Sequence, residues 1–226
     1  MPLENARVVI QGFGSVGKHA ARFLADKGAV LVAASDTRGT IVDENGLDVP
    51  ALIALKGEGK ALHDYSRGRK LGADAVIDVR CGIWIPAARP DVIHAGNVAR
   101  LQTRLVAEGA NIPLTAEAEQ MLAARGVLVL PDFIANAGGV ICAAVEYRGE
   151  TETAALALID EKIRANTEAV LEEARRSGAL PRSAATSLAA EELRRAMRTR
   201  RWESGSARMA LEQCQRGGSR PAWSVG

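Results

Sequence analysis

The chain has 226 residues, 47% of them hydrophobic and 25% charged, with a formal net charge of +2. That is enough chain to bury a core as one large domain, and the near-neutral balance argues against nucleic acid or an acidic membrane surface as a partner. Met1 to Val9 lacks the apolar run of a signal peptide and no stretch is apolar for the length of a membrane helix, so no membrane partner and a cytoplasmic location are expected. Cys81, Cys142 and Cys214 are scattered and odd in number, which fits a reducing compartment without a disulfide framework. With His19, His63 and His94 they show no metal-ligand spacing, and no metal is expected.

Taken in order, Arg7 to Gln11 is a short apolar run ending in glycine, the pattern of a buried parallel strand. Ser15 to Lys27 carries Val16, Ala20, Phe23 and Leu24 at helical spacing and stops at Gly28. Ala29 to Ala34 reads as a second buried strand ending at Ser35-Asp36, completing a strand–helix–strand crossover. Asp43-Glu44-Asn45-Gly46 reads as a turn, because it lacks the further acidic ligands of a calcium loop. A helix over Val49–Leu55 is followed by a Gly- and charge-rich stretch, Lys56 to Gly72, expected to be irregular. Strands are then predicted at 83–85, 104–107 and 127–130, with a helix from a Thr115 cap to Ala124 between the last two.

This alternation predicts an α/β fold, a Rossmann-type doubly wound, mostly parallel sheet with helices on both faces. After Gly138-Gly139 only helices are predicted, over about 140–147, 153–177 and 184–200. The expected organisation is a nucleotide-binding domain over 1–202, with a helical extension from about 140 and a loosely ordered tail over 203–226. The arginines at 194, 195, 198, 200 and 201, with Trp202, read as a helix end whose cations suit the dipole.

Gly12-Phe13-Gly14-Ser15-Val16-Gly17 follows a strand and opens a helix, the context in which G-x-G-x-x-G predicts a dinucleotide site. Gly12 permits a sharp turn, Gly14 lets the backbone approach a pyrophosphate, and Gly17 lets helix and strand pack closely. The same residues nearly spell a P-loop, but His19 stands where that motif needs Ser or Thr for magnesium. Asp36 lies 19 residues past Gly17 and is placed to accept hydrogen bonds from ribose hydroxyls, favouring NAD. A competing reading makes Asp36 the cap of the turn at Thr37-Arg38-Gly39, and Arg38 could hold a 2′-phosphate. The cofactor is thus expected to be NAD or NADP, with NAD preferred.

Five segments in order carry a family resemblance: Gln11 to Gly17, Ala34 to Gly39, Ile85 to Ala88, Val106 to Asn111, and Pro131 to Val140. Together, across about Leu3 to Trp202, they resemble the coenzyme-binding domain of the glutamate/leucine/phenylalanine/valine dehydrogenases, most closely the glutamate dehydrogenases. The resemblance implies that Ala87 and Ala88 lie beside the cofactor, that Asn111 bonds the nicotinamide ribose, and that Asn136 sits near the carboxamide. It implies oxidative deamination of an L-amino acid to a 2-oxo acid, and an oligomer for the full-length enzyme. None of the six lysines lies in the family's glycine-rich catalytic motif, so no catalytic residue is assigned and the substrate domain is expected to be missing. Ala143 stands where glutamate dehydrogenases place a serine that recognises the substrate carboxylate. A free-standing NAD(P)-binding or sensing module without catalysis is the alternative reading.

Overall fold

The computed structural model describes residues 2–199. The expected tail over 203–226, Cys214, and the basic residues from position 200 onward lie outside them. Contacts divide the chain into two units, Met1–Ala185 and Thr186–Gly226.

The first unit is built on a seven-stranded sheet of order β4-β3-β2-β1-β5-β6-β7. The parallel strands are β1 (Arg7–Gln11), β2 (Val30–Asp36), β5 (Ile83–Pro86), β6 (Leu105–Ala107) and β7 (Leu128–Leu130). The five strands expected from apolar runs are all present. Two more, β3 (Gly39–Val42) and β4 (Arg69–Leu71), extend the β2 edge in antiparallel sense. β4 corrects the expectation of an irregular stretch from Lys56 to Gly72, which also contains a short 3-10 turn at Leu62–Asp64, while β3 lies before that stretch, where no strand was expected. β4 has no alternating apolar pattern, and Arg69 and Lys70 are exposed, as suits a short charged edge strand.

β1 lies at the centre and shows why the sheet is covered on both faces. Val8, Val9 and Ile10 are no more than 1% exposed. Successive side chains of a strand point to opposite faces. Val9 accordingly joins one core with Val32, Trp84, Val106 and Val129. Val8 and Ile10 join the other with Phe13, Ala34, Ile83 and Ile85. A strand buried on both sides reads as a continuous apolar run, which is why β1 and β2 were legible.

The helices of the sheet region are α1 (Ser15–Asp26), α2 (Val49–Gly57), α3 (Ala116–Ala124) and the single turn α4 (Asp132–Ala135). Side-chain caps start two of them: Asp48 accepts from the Ala51 N–H at 3.0 Å, and Thr115 from the Ala118 N–H at 3.3 Å. Three helices follow, α5 (Gly138–Tyr147), α6 (Glu152–Ser177) and α7 (Pro181–Thr199). Thr151 caps α6, and Gly178 ends it in the left-handed conformation. α7 begins at Pro181, three residues before the expected start, because proline suits the first turn of a helix. None of the described helices is long and apolar enough to cross a membrane.

Because Ile10 is fully buried at the centre, Ile10→Ala should destabilise the chain by about 2–5 kcal/mol. Urea unfolding followed by circular dichroism checks this; a loss below about 0.5 kcal/mol would contradict the central placement of β1.

Candidate functional site

The sheet order reverses direction at β1. The chain passes from β1 through α1 to β2 on one side, while β5, β6 and β7 extend on the other. Loops leaving the carboxyl ends of strands diverge at such a point and open a crevice. A cavity of about 760 Å³ lies there. It is lined by Gly12, Phe13, Gly14, Ser15 and Val16 after β1, by Asp36 and Thr37 after β2, and by Ala87 and Ala88 after β5. Nine of the residues singled out from sequence therefore share one cavity.

The turn after β1 is held by two hydrogen bonds, from the Gly12 and Phe13 N–H groups to the Ser35 carbonyl at 3.0 and 2.8 Å. Gly12 has φ +96°, and a Cβ there would lie 2.7 Å from the Ala88 Cβ. A Cβ on Gly17 would collide with the Gly12 carbonyl oxygen. Gly17 is buried under the turn and does not line the cavity; it sets how closely α1 approaches β1. A Cβ on Gly14 would meet nothing within 4 Å, so its face is open space. Gly14 is also the α1 N-cap, which brings no side-chain cap and no acidic residue to the first turn. Uncapped N–H groups and the positive end of the helix dipole make this an anion-binding position. The Gln11 Oε1 atom, in the cavity wall, is buried without a hydrogen-bond partner.

Asp36 caps the turn after β2, one of its two sequence readings. Its Oδ1 accepts the Arg38 N–H at 2.9 Å, the turn-capping arrangement. Its Oδ2 accepts from the Leu62 N–H at 2.9 Å and from Lys56 Nζ at 3.0 Å. Burial opposes its ionisation, but the two backbone donors and Lys56 outweigh it and hold the carboxyl below its ordinary range. Lys56 comes from the last turn of α2 and lines the cavity. Sequence reasoning missed it, because only the folding back of α2 brings it to Asp36. Thr37 and Arg38 are exposed at the lip, and Arg38 is outside the cavity wall.

Asn111 and Asn136 also lie outside that wall, but they meet one another: Asn136 Nδ2 donates to Asn111 Oδ1 at 2.8 Å. Their loops join the cavity through β5, since the Gly109 and Ala110 N–H groups donate to the Pro86 carbonyl at 3.0 and 2.8 Å. Ala143 on α5 is exposed.

A second cluster was invisible in the sequence. Arg182, in the first turn of α7, donates from Nη2 to Glu108 Oε2 at 2.6 Å, from Nε to Glu119 Oε2 at 2.8 Å, and from Nη1 to Asp132 Oδ1 at 3.0 Å. Glu108 follows β6, Glu119 lies on α3, and Asp132 opens α4 after β7. Burial raises Glu108 to about 7, against the pull of Arg182 and the Asp132 N–H. Asp132 stays below its ordinary value: burial opposes ionisation, but the Ile112 N–H and Arg182 more than offset it. Burial raises the Cys81 thiol to about 11, and burial with Glu146 raises that of Cys142, so neither is an activated nucleophile.

Glu108 gives a pH prediction. Its folded value of about 7 lies above the ordinary 4.5, so the folded state binds the extra proton. The charged groups facing it are Arg182, Glu119 and Asp132. Stability should fall by about 2–3 kcal/mol as pH rises from 4.5 to 7. Glu108→Gln should flatten that slope in urea unfolding curves; an unchanged slope would contradict the buried, proton-holding carboxyl.

The chain matches the Glutamate/Leucine/Phenylalanine/Valine dehydrogenase family over residues 1–201. It is 38% identical to a glutamate dehydrogenase of Aeropyrum pernix over 210 residues, 88% of this chain and 50% of that protein. Against an NADP-specific glutamate dehydrogenase of Saccharolobus shibatae it is 39% identical over 145 residues, 64% of this chain and 34% of that protein. Among solved structures it resembles a hetero-hexameric glutamate dehydrogenase of Thermus thermophilus in a Leu-bound form, with TM-score 0.77 and 29% identity over 88% of this chain and 48% of that one. An L-tryptophan dehydrogenase of Nostoc punctiforme follows at TM-score 0.67 and 27% identity, over 87% of this chain and 55% of that one. The chain thus spans about half the length of the Aeropyrum pernix relative and about a third of the Saccharolobus shibatae one. It belongs to the glutamate/leucine/phenylalanine/valine dehydrogenase family.

Proposed function

We propose that this chain is the coenzyme-binding part of an amino-acid dehydrogenase. It would hold NAD or NADP in the cavity at the head of β1. The observation that carries the reading is the open face of Gly14 at the uncapped start of α1, in a cavity that Gln11 also lines. Gly14, Ser15 and Val16 would present N–H groups to the pyrophosphate, with Phe13 buried behind the turn and Gly17 fixing its depth. Ala87 and Ala88 would flank the dinucleotide without obstructing it, and Asn111 and Asn136 would receive the nicotinamide ribose and carboxamide.

At the adenosine end the reading moves from NAD towards acceptance of both cofactors. Asp36 already accepts three donors, and Lys56 neutralises it inside the cavity. A carboxylate paired in this way repels a 2′-phosphate less than a free one, and Lys56 and Arg38 add positive charge nearby. Asp36 keeps one lone-pair site for a ribose hydroxyl.

When bound, the cofactor supplies a hydride acceptor for oxidative deamination of an L-amino acid to a 2-oxo acid and ammonia. The chain's residues would bind and orient it. Among the described residues, Lys56 is the one lysine in the cavity wall, and its Nζ is held by Asp36 rather than set against a substrate amine. The groups that grip and deprotonate the amino acid would then come from outside the described residues, in a longer oligomeric enzyme, with Ala143 on the substrate side.

Calorimetric titration of the purified chain should show binding of both NADH and NADPH, and the chain alone should not reduce NAD when an L-amino acid is added. Binding of an amino acid but of neither dinucleotide would make this the substrate part and overturn the proposal. Steady amino-acid-dependent NADH production would overturn the division of labour.

A further inference from the structure

Arg182 is a costly residue to place where it is. Its guanidinium faces three carboxylates whose side chains are 0% (Glu108), 5% (Glu119) and 10% (Asp132) exposed. Two of their oxygens, Glu108 Oε1 and Glu119 Oε1, are buried with no partner. Burying ions incompletely paired adds little to stability, and an apolar cluster of similar volume serves a core as well. What a planar fork does provide is fixed geometry among the groups it bridges.

The groups bridged here lead to one place. Asp132 receives Arg182 on Oδ1 and the Ile112 N–H on Oδ2 at 2.8 Å, so it sets the residue next to Asn111. The Asp132 carbonyl accepts the Asn136 N–H at 2.7 Å. Glu108 Oε2 accepts the Asp132 N–H at 2.8 Å as well as Arg182, tying the loop after β6 to the loop after β7. Ile112 is held at φ +48°, a left-handed conformation that a β-branched residue adopts only when its surroundings impose it. Asn111 thus adjoins the residue whose N–H the Asp132 carboxylate accepts, and the Asn136 N–H is bonded to the main chain of the same Asp132.

We propose that Arg182 is a positioning residue for the Asn111–Asn136 pair, fixing from the first turn of α7 the end of the site that takes the nicotinamide ribose and carboxamide. This rests on the reading that the cavity takes a dinucleotide. Arg182 touches no ligand itself. Its effect runs through Asp132 and Glu108 to the two loops, and leaves the turn at Gly12–Gly17 and the Asp36–Lys56 pair unaltered.

The test compares two ligands on the full chain. NADH engages both ends of the site, and ADP-ribose lacks the nicotinamide. Arg182→Met should weaken NADH binding on the order of tenfold, the effect of one or two misplaced hydrogen bonds, and leave ADP-ribose within about twofold. The emission of bound NADH should shift towards that of free NADH. Arg182→Lys keeps the charge without the fork and guards against a methionine variant that fails to fold; it should show the same selectivity at smaller size. Leu31→Ala, a core change near the opposite end of β2, controls for lost stability and should not separate the two ligands. Equal weakening of both ligands by the Arg182 variants, or no weakening, overturns the positioning role while the dinucleotide reading stands. Failure of the unaltered chain to bind either ligand overturns both.

Discussion

The close approach of α1 to β1 is the constraint on which the site depends. Gly17 lies so near the Gly12 carbonyl that no side chain fits between them. That contact brings the helix start to the head of the central strand, where the sheet order reverses. The uncapped first turn then faces the crevice rather than solvent. Remove the contact and the cavity loses its floor, because Phe13 and the Ser35 carbonyl are both tied to the same turn.

From that floor the site spreads over two sets of loops with different supports. The β2 side rests on shorter-range devices: an aspartate capping its own turn and a lysine 20 positions further on, at the end of α2. The other side rests on a long-range one, a guanidinium 50 to 74 positions along the chain from the three carboxylates it holds. The C-terminal helices are therefore not a mere appendage to the sheet. Through Arg182, the start of α7 is part of what shapes the loops after β6 and β7.

Legibility in the sequence followed the same division. Strands buried on both faces and the glycine turn were readable, because their signals are short-range patterns of apolarity and backbone geometry. β3 and β4 were not, since short edge strands need little apolar pattern and β4 is two-thirds charged residues in exposed positions. Asp36 was found, but Lys56 was not, because a salt bridge across 20 positions leaves no local trace. Arg182 fell between the helices expected over 153–177 and 184–200; Pro181 as a helix-start signal would have moved it onto α7, but not revealed its three partners. The family motifs singled out Asn111 and Asn136 separately, and only the fold shows that the two side chains meet.

The central claim is that a dinucleotide pyrophosphate sits over the start of α1. A crystal structure of the chain with NADH tests it most directly. The account predicts pyrophosphate oxygens within hydrogen-bond distance of the Gly14, Ser15 or Val16 N–H groups, with the nicotinamide directed towards Asn111 and Asn136. Ligand density elsewhere on the chain, with the first turn of α1 left uncontacted, would contradict it.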